Sequence, residues 1–171
     1  PDLNEGPVAE LKPKAQPQHA SSKLFQSGEC KIIGAGLDSQ GDWVVEGEAM
    51  VTDVPITYLG YVNRDSGVIE EVGHPLDGRA IEDKILIYPK GSGSTVAPYV
   101  LMGLIYTGKG PRAIVNRDVC SLTLPACSLL DMPYSHGFSE DPCVAVNDGD
   151  RIRITKNRDH VLLEVIERKG E

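Results

Sequence analysis

Hydrophobic residues in this chain come in short bursts separated by glycine- and proline-bearing turns, the spacing of a strand-rich fold. The longest burst, Trp43-Val44-Val45-Glu46-Gly47-Glu48-Ala49-Met50-Val51, alternates in places and predicts a long strand. Cys30-Lys31-Ile32-Ile33 and Ala113-Ile114-Val115 predict shorter ones. Two more are expected over 54–62 and 68–72, on either side of the turn-forming Asn63-Arg64-Asp65-Ser66-Gly67. Near the end, Arg151-Ile152-Arg153-Ile154-Thr155 and Val161-Leu162-Leu163-Glu164-Val165-Ile166 predict a hairpin around Lys156-Asn157-Arg158-Asp159.

One stretch reads differently. Lys84-Ile85-Leu86-Ile87-Tyr88 is a buried strand by composition, and Pro89-Lys90-Gly91-Ser92-Gly93-Ser94 is a turn. A helix then opens at Thr95 and runs to about Tyr106, with Val96, Val100 and Leu104 on one side. Pro98 is tolerated in its first turn, and Gly108 and Gly110 stop it. Residues 119–130 predict a brief helix plus a loop, broken by Pro125. The sum is an α/β domain with a β-rich, barrel-like or layered core, few helices and no internal repeat.

Residues 1–24 hold Pro1, Pro7, Pro13 and Pro17 among mostly polar neighbours and read as a tail or linker, with the domain over 25–171. A linker ahead of a compact domain would suit the C-terminal part of a fused polypeptide as well as a solvated tail. At 171 residues and 40% apolar content the chain can bury one sizeable core. Its net charge of -8 argues against nucleic-acid binding, which needs clustered Lys and Arg, and 5% aromatic content argues against a base-stacking platform. No apolar run approaches the roughly 20 residues that span a bilayer. A soluble, cytoplasmic protein is therefore expected. Cys30, Cys120, Cys127 and Cys143 form no CxxC pair and fit no zinc-site spacing, so reduced, partly buried thiols are expected.

The turn carries the candidate chemistry. A helix start offers unpaired N–H groups and partial positive charge, suited to an anion or a developing alkoxide. Gly91-Ser92-Gly93-Ser94-Thr95 fits neither a Walker phosphate loop, nor a dinucleotide fingerprint, nor a nucleophile elbow. A serine that accepts a proton or contacts an anion is left, beside the simpler reading of a helix N-cap. Serine is a weak base, and becoming alkoxide-like requires nearby N–H groups or positive charge. His19 and His160 read as solvated, and His74 and His136 as turn residues; none has ligand spacing or sits at the helix start. Glu140, Asp141, Asp148 and Asp150 read as solvated loop acids rather than a metal cluster.

Read in order, Val45-Glu46-Gly47-Glu48-Ala49-Met50-Val51, Gly60, Ser66-Gly67, His74-Pro75-Leu76-Asp77-Gly78, Pro89 to Thr95 and Gly110-Pro111-Arg112-Ala113-Ile114-Val115 resemble the small subunit, or swivel domain, of the aconitase X hydro-lyases. That family includes phosphomevalonate dehydratase and cis-3-hydroxy-L-proline dehydratase. The resemblance implies a swivelling β/β/α fold. It implies no cofactor in this chain, and a large partner, subunit or fused domain, holding an iron–sulfur cluster. It implies a small anionic hydroxy acid as substrate, such as mevalonate 5-phosphate or cis-3-hydroxy-L-proline. The family's proton-accepting serine falls on Ser94, with Gly93 and Thr95 shaping the turn and Thr57 as a candidate substrate contact. Two departures stand out: Ser92 where the family usually has arginine, and Thr57-Tyr58-Leu59-Gly60 where it usually has Ser-Phe-Trp-Gly. They leave room for another reading, a non-catalytic module that keeps the fold and docks onto a partner. A phosphohistidine carrier, which would use a similar fold, is disfavoured because no histidine lies beside the turn.

Overall fold

The computed structural model describes residues 30–170; the predicted tail over 1–24 and His19 lie outside them. Seven strands close a barrel: β1 Lys31–Gly36, β2 Trp43–Val51, β3 Ile85–Tyr88, β4 Ala113–Asn116, β5 Tyr134–His136, β6 Arg151–Asn157 and β7 His160–Glu167. Their order around the barrel is β1-β5-β4-β3-β2-β6-β7. β2, β3, β4 and β5 pair in parallel, and the remaining contacts are antiparallel. Four short helices join them: α1 Tyr58–Tyr61, α2 Ala97–Tyr106, α3 Leu124–Leu129 and α4 Pro142–Ala145.

The parallel half explains why β3 and β4 are continuous apolar runs. A strand covered on both faces has no polar side to show, and all four residues of each are buried. Ile85, Ile87, Ala113 and Val115 join Ile32, Ile152, Ile154, Val161 and Leu163 in one core cluster. Leu86, Tyr88, Ile114 and Tyr134 turn the other way, onto Ala97, Val100, Leu101 and Leu104 of α2. Side chains alternate across a strand, so one element serves both cores.

The strands predicted over 30–33, 43–51, 84–88 and 113–115 are present as β1, β2, β3 and β4, as is the final hairpin, which closes tightly with Asn157 opposite His160. The strands expected over 54–62 and 68–72 are not. Only single bridges occur there, Ile56 with Gly91, Val62 with Ile69 and Val68 with Ala80. Pro55 and Gly60 (φ 91°) interrupt any ladder, and Ile56, Tyr58, Val62 and Ile69 plug the helix-side core instead. α2 begins at Ala97, which leaves Val96 outside its buried face, 46% exposed. Pro125 does not break a helix but sits in the first turn of α3, where no N–H is required of it.

The loop acids are not simply solvated. Asp150 is fully buried and accepts hydrogen bonds from Arg168 Nη1 at 2.7 Å, Asn147 N at 2.8 Å and Lys169 N at 3.0 Å. Asp148 accepts from Val51 N and Arg79, and Asp141 caps α4 at Cys143 N. These carboxylates satisfy backbone donors of the irregular connection between β5 and β6, at Cys143 and Asn147, and fasten it to Val51 of β2 and Lys169 beyond β7.

Candidate catalytic turn

Two segments distant in sequence hold the turn after β3. On one side Ile56 bridges Gly91: Ser92 N donates to Ile56 O at 2.9 Å and Ile56 N to Lys90 O at 3.3 Å. On the other, Gly91 N donates to Cys120 Sγ at 3.2 Å, and Leu122 N donates to the same sulfur at 3.4 Å. A Cβ on Gly91 would lie 3.2 Å from both Leu122 Cβ and Thr123 Oγ1, so the backbone approaches as closely as glycine allows.

A hydroxyl chain runs beneath. Tyr58 and Tyr88 share a 2.6 Å hydrogen bond, and the Tyr88 hydroxyl lies 3.1 Å from Thr123 Oγ1. Tyr134 donates to Asn116 Oδ1 at 2.8 Å, and Asn116 Nδ2 to Tyr88 O at 3.3 Å. Burial pushes all three phenols up, so they stay protonated and act as fixed hydrogen-bonding groups, not bases. Sequence reading missed this support. Its signal was Tyr88 closing an apolar strand, since a buried phenol requires a polar partner.

Gly93 has φ +95°, and a Cβ there would meet Thr57 Cγ2 at 2.9 Å. Gly93 and half-buried Thr57 are therefore neighbours, with Ser94 and Thr95 following on the exposed side. Ser94 Oγ accepts a hydrogen bond from Val96 N at 3.2 Å, and its carbonyl accepts one from Ala97 N at 3.0 Å. The hydroxyl oxygen thus sits at the N-terminal end of α2, on the side favourable to negative charge. Gly93→Ala combines a disfavoured backbone with that contact. It is expected to cost about 1–2 kcal/mol, read as a lowered urea midpoint. Gly41→Ala, also at positive φ but with no atom within 4 Å, separates backbone strain from contact with Thr57; equal losses in the two variants would remove the contact from the account.

The histidines stand apart from the turn's hydrogen bonds. His74 is buried, donating from Nε2 to Pro55 O at 3.1 Å and accepting Leu76 N on Nδ1 at 3.0 Å. His160 is exposed beside Asp159. Burial pushes His136, next to Tyr134, below its ordinary value. Among the described residues no group of three or more His, Cys, Asp or Glu side chains could hold a metal ion. Cys30 and Cys127 are buried, and desolvation pushes the Cys127 thiol up to about 12, away from the thiolate that ligation requires. These residues do not fit an iron–sulfur cluster. No described helix is long and apolar enough to cross a membrane.

A closed mixed barrel whose parallel half presents a glycine–serine turn at a helix start defines a swivelling β/β/α domain. The family model for the aconitase X swivel domain matches residues 39–163. The phosphomevalonate dehydratase small subunit of Pyrococcus horikoshii is 44% identical over 131 residues, 77% of this chain and 93% of that protein. That of Methanococcoides burtonii is 32% identical over 126 residues, 74% of this chain and 87% of the relative. The crystal structure of Thermococcus kodakaraensis aconitase X in its holo-form superposes with a TM-score of 0.67 at 27% identity, covering 77% of this chain and 97% of that one. The chain belongs to the aconitase X swivel domain family.

Proposed function

We propose that this chain is the small component of an aconitase X-type dehydratase and that Ser94 accepts the proton removed from the substrate. The observation that carries the reading is the Ser94 hydroxyl, exposed at the start of α2 and receiving the Val96 N–H. In its alkoxide form the oxygen keeps that hydrogen bond and the favourable end of the helix dipole, and it takes a proton from the carbon next to the departing hydroxyl. Gly93 permits the turn, Thr95 borders the hydroxyl, and Thr57 lies close enough to Gly93 to touch a substrate seated there. An iron–sulfur cluster belongs, on this reading, to the larger partner, where it supplies a Lewis acid for the departing hydroxyl.

Mevalonate 5-phosphate is favoured over cis-3-hydroxy-L-proline, because the relatives above are phosphomevalonate dehydratase small subunits. The test is co-expression with the large subunit, co-purification, and mass-spectrometric detection of water loss from mevalonate 5-phosphate. Activity is expected only with both components present; turnover by the large component alone would overturn the proposal. The departures at Ser92 and Thr57 favour the second reading, a docking module without a catalytic part, whose complex would be indifferent to the loss of the Ser94 hydroxyl.

A further inference from the structure

Next to the turn lies a surface depression of about 260 Å³, lined by Leu59, Arg64, Val96, Tyr99, Val100 and Gly103. Its size is below the roughly 300–1,000 Å³ of pockets for drug-sized ligands and suits a small metabolite. Val96, which donates its N–H to Ser94 Oγ, forms part of the wall, so the depression and the proposed base share one residue. The rest is apolar except for the Tyr99 hydroxyl and one full charge, Arg64.

Arg64 is distinctive among the arginines described. Arg79, Arg112, Arg117, Arg151, Arg153 and Arg168 each bind a carboxylate. Arg64 engages none, although acids outnumber bases by 25 to 17 in the chain. The other unpaired guanidinium, Arg158, stands at the tip of the β6–β7 hairpin, with φ +56°. A free guanidinium on an acidic protein is a local site for an anion, and its planar donors match phosphate oxygens.

The backbone beneath Arg64 is fixed. Asn63 Oδ1 accepts from Asp65 N at 2.9 Å and from Ser66 N at 3.0 Å, and Asn63 N donates to Val68 O at 2.9 Å. A preset turn lowers the ordering cost of binding. The Gly91–Gly93 turn has only Ser92 between its glycines, and Lys90 does not line the depression. Leu59, which lacks the bulk of an aromatic side chain, contributes to the lining.

We propose that Arg64 binds the phosphate group of the dehydratase substrate, whose hydroxy-acid end extends from this depression toward Ser94. This rests on the dehydratase reading above and assigns the substrate's anionic end to a residue outside the glycine–serine turn.

The co-purified complex carrying Arg64→Ala is expected to show KM for mevalonate 5-phosphate raised about 10- to 100-fold, the range of one or two charge-assisted hydrogen bonds. Its kcat is expected to change little, and Arg64→Lys to recover part of the loss. Arg158→Ala serves as the control and keeps the wild-type KM. An unchanged KM in Arg64→Ala overturns the proposal. A second readout needs no turnover: phenylglyoxal labelling of Arg64 in the complex, followed by peptide mass spectrometry, with inorganic phosphate as the probe. Labelling that phosphate suppresses at Arg64 and not at Arg158 is expected. Labelling indifferent to phosphate, or an Arg64 unreactive in the phosphate-free complex because the partner covers it, overturns the assignment. A wild-type complex that fails to dehydrate sinks the catalytic reading by itself, and the labelling arm then still decides whether Arg64 holds phosphate.

Discussion

Ser94→Ala is expected to abolish most turnover in the assembled enzyme, lowering kcat by about 10²- to 10⁴-fold, the usual contribution of a positioned proton acceptor. KM for the substrate should change little, because the hydroxyl acts on the proton and not on the anionic end. The variant should still co-elute with its partner. Ser94 is exposed and its side chain contributes no core packing, so its loss leaves the barrel intact. On the proposed reading a serine at its ordinary acidity stays protonated, so the oxygen becomes a useful base only where the assembled enzyme adds positive charge or further donors to the N–H groups of the helix start. Steady-state kinetics with a parallel gel-filtration profile check both halves. Wild-type kcat in Ser94→Ala would leave this domain a docking role and remove its catalytic one.

Asp150→Ala carries the largest expected effect on stability. The carboxylate is fully buried and is the shared acceptor for Arg168, Asn147 N and Lys169 N. Its own carbonyl accepts Ala49 N from β2 at 2.7 Å. It therefore ties the strand that borders the parallel half to the chain that follows β7. Removing it leaves two backbone donors without their acceptor and a guanidinium, only 21% exposed, that keeps the Ala145 carbonyl but loses its counter-charge. The expected cost is about 3–5 kcal/mol, a large part of the roughly 5–15 kcal/mol that holds a domain folded. Thermal unfolding should show a fall in Tm on the order of 10 °C. Arg168→Met in the Asp150→Ala background should restore part of the loss, since the uncompensated charge disappears. A shift of only a degree or two in Asp150→Ala would show that water replaces the carboxylate at little cost.

The helix-opening turn was readable because each of its signals is local: an apolar strand, two glycines, hydroxyls, and a proline in the first helical turn. Strand β2 and the final hairpin were readable for the same reason, their patterns being long enough to reveal their period. β5 and α4, at three and four residues, are too short for any period to register. The stretch over 54–72 failed differently. Its apolar residues are spaced like strand residues, but they fill the layer under α2 while the backbone turns at Pro55, Gly60 and Gly67. Propensity gave way there to tertiary packing.

Asp150 makes the same point for charge. Nothing adjacent to it distinguishes a solvated loop acid from a buried one, because Arg168 reaches it only once the barrel closes. Thr57 against Gly93, Cys120 under Gly91, and Arg64 and Val96 in the wall of one depression likewise bring distant segments together. Short-range order, namely which residues extend, turn or cap, was encoded residue by residue and could be read before folding. Which of those residues meet around Ser94 depends on chain closure, since hydrogen bonds and apolar contacts between remote segments exist only after β2, β3 and β4 have aligned in parallel and pressed α2 and its leading turn onto their outer face.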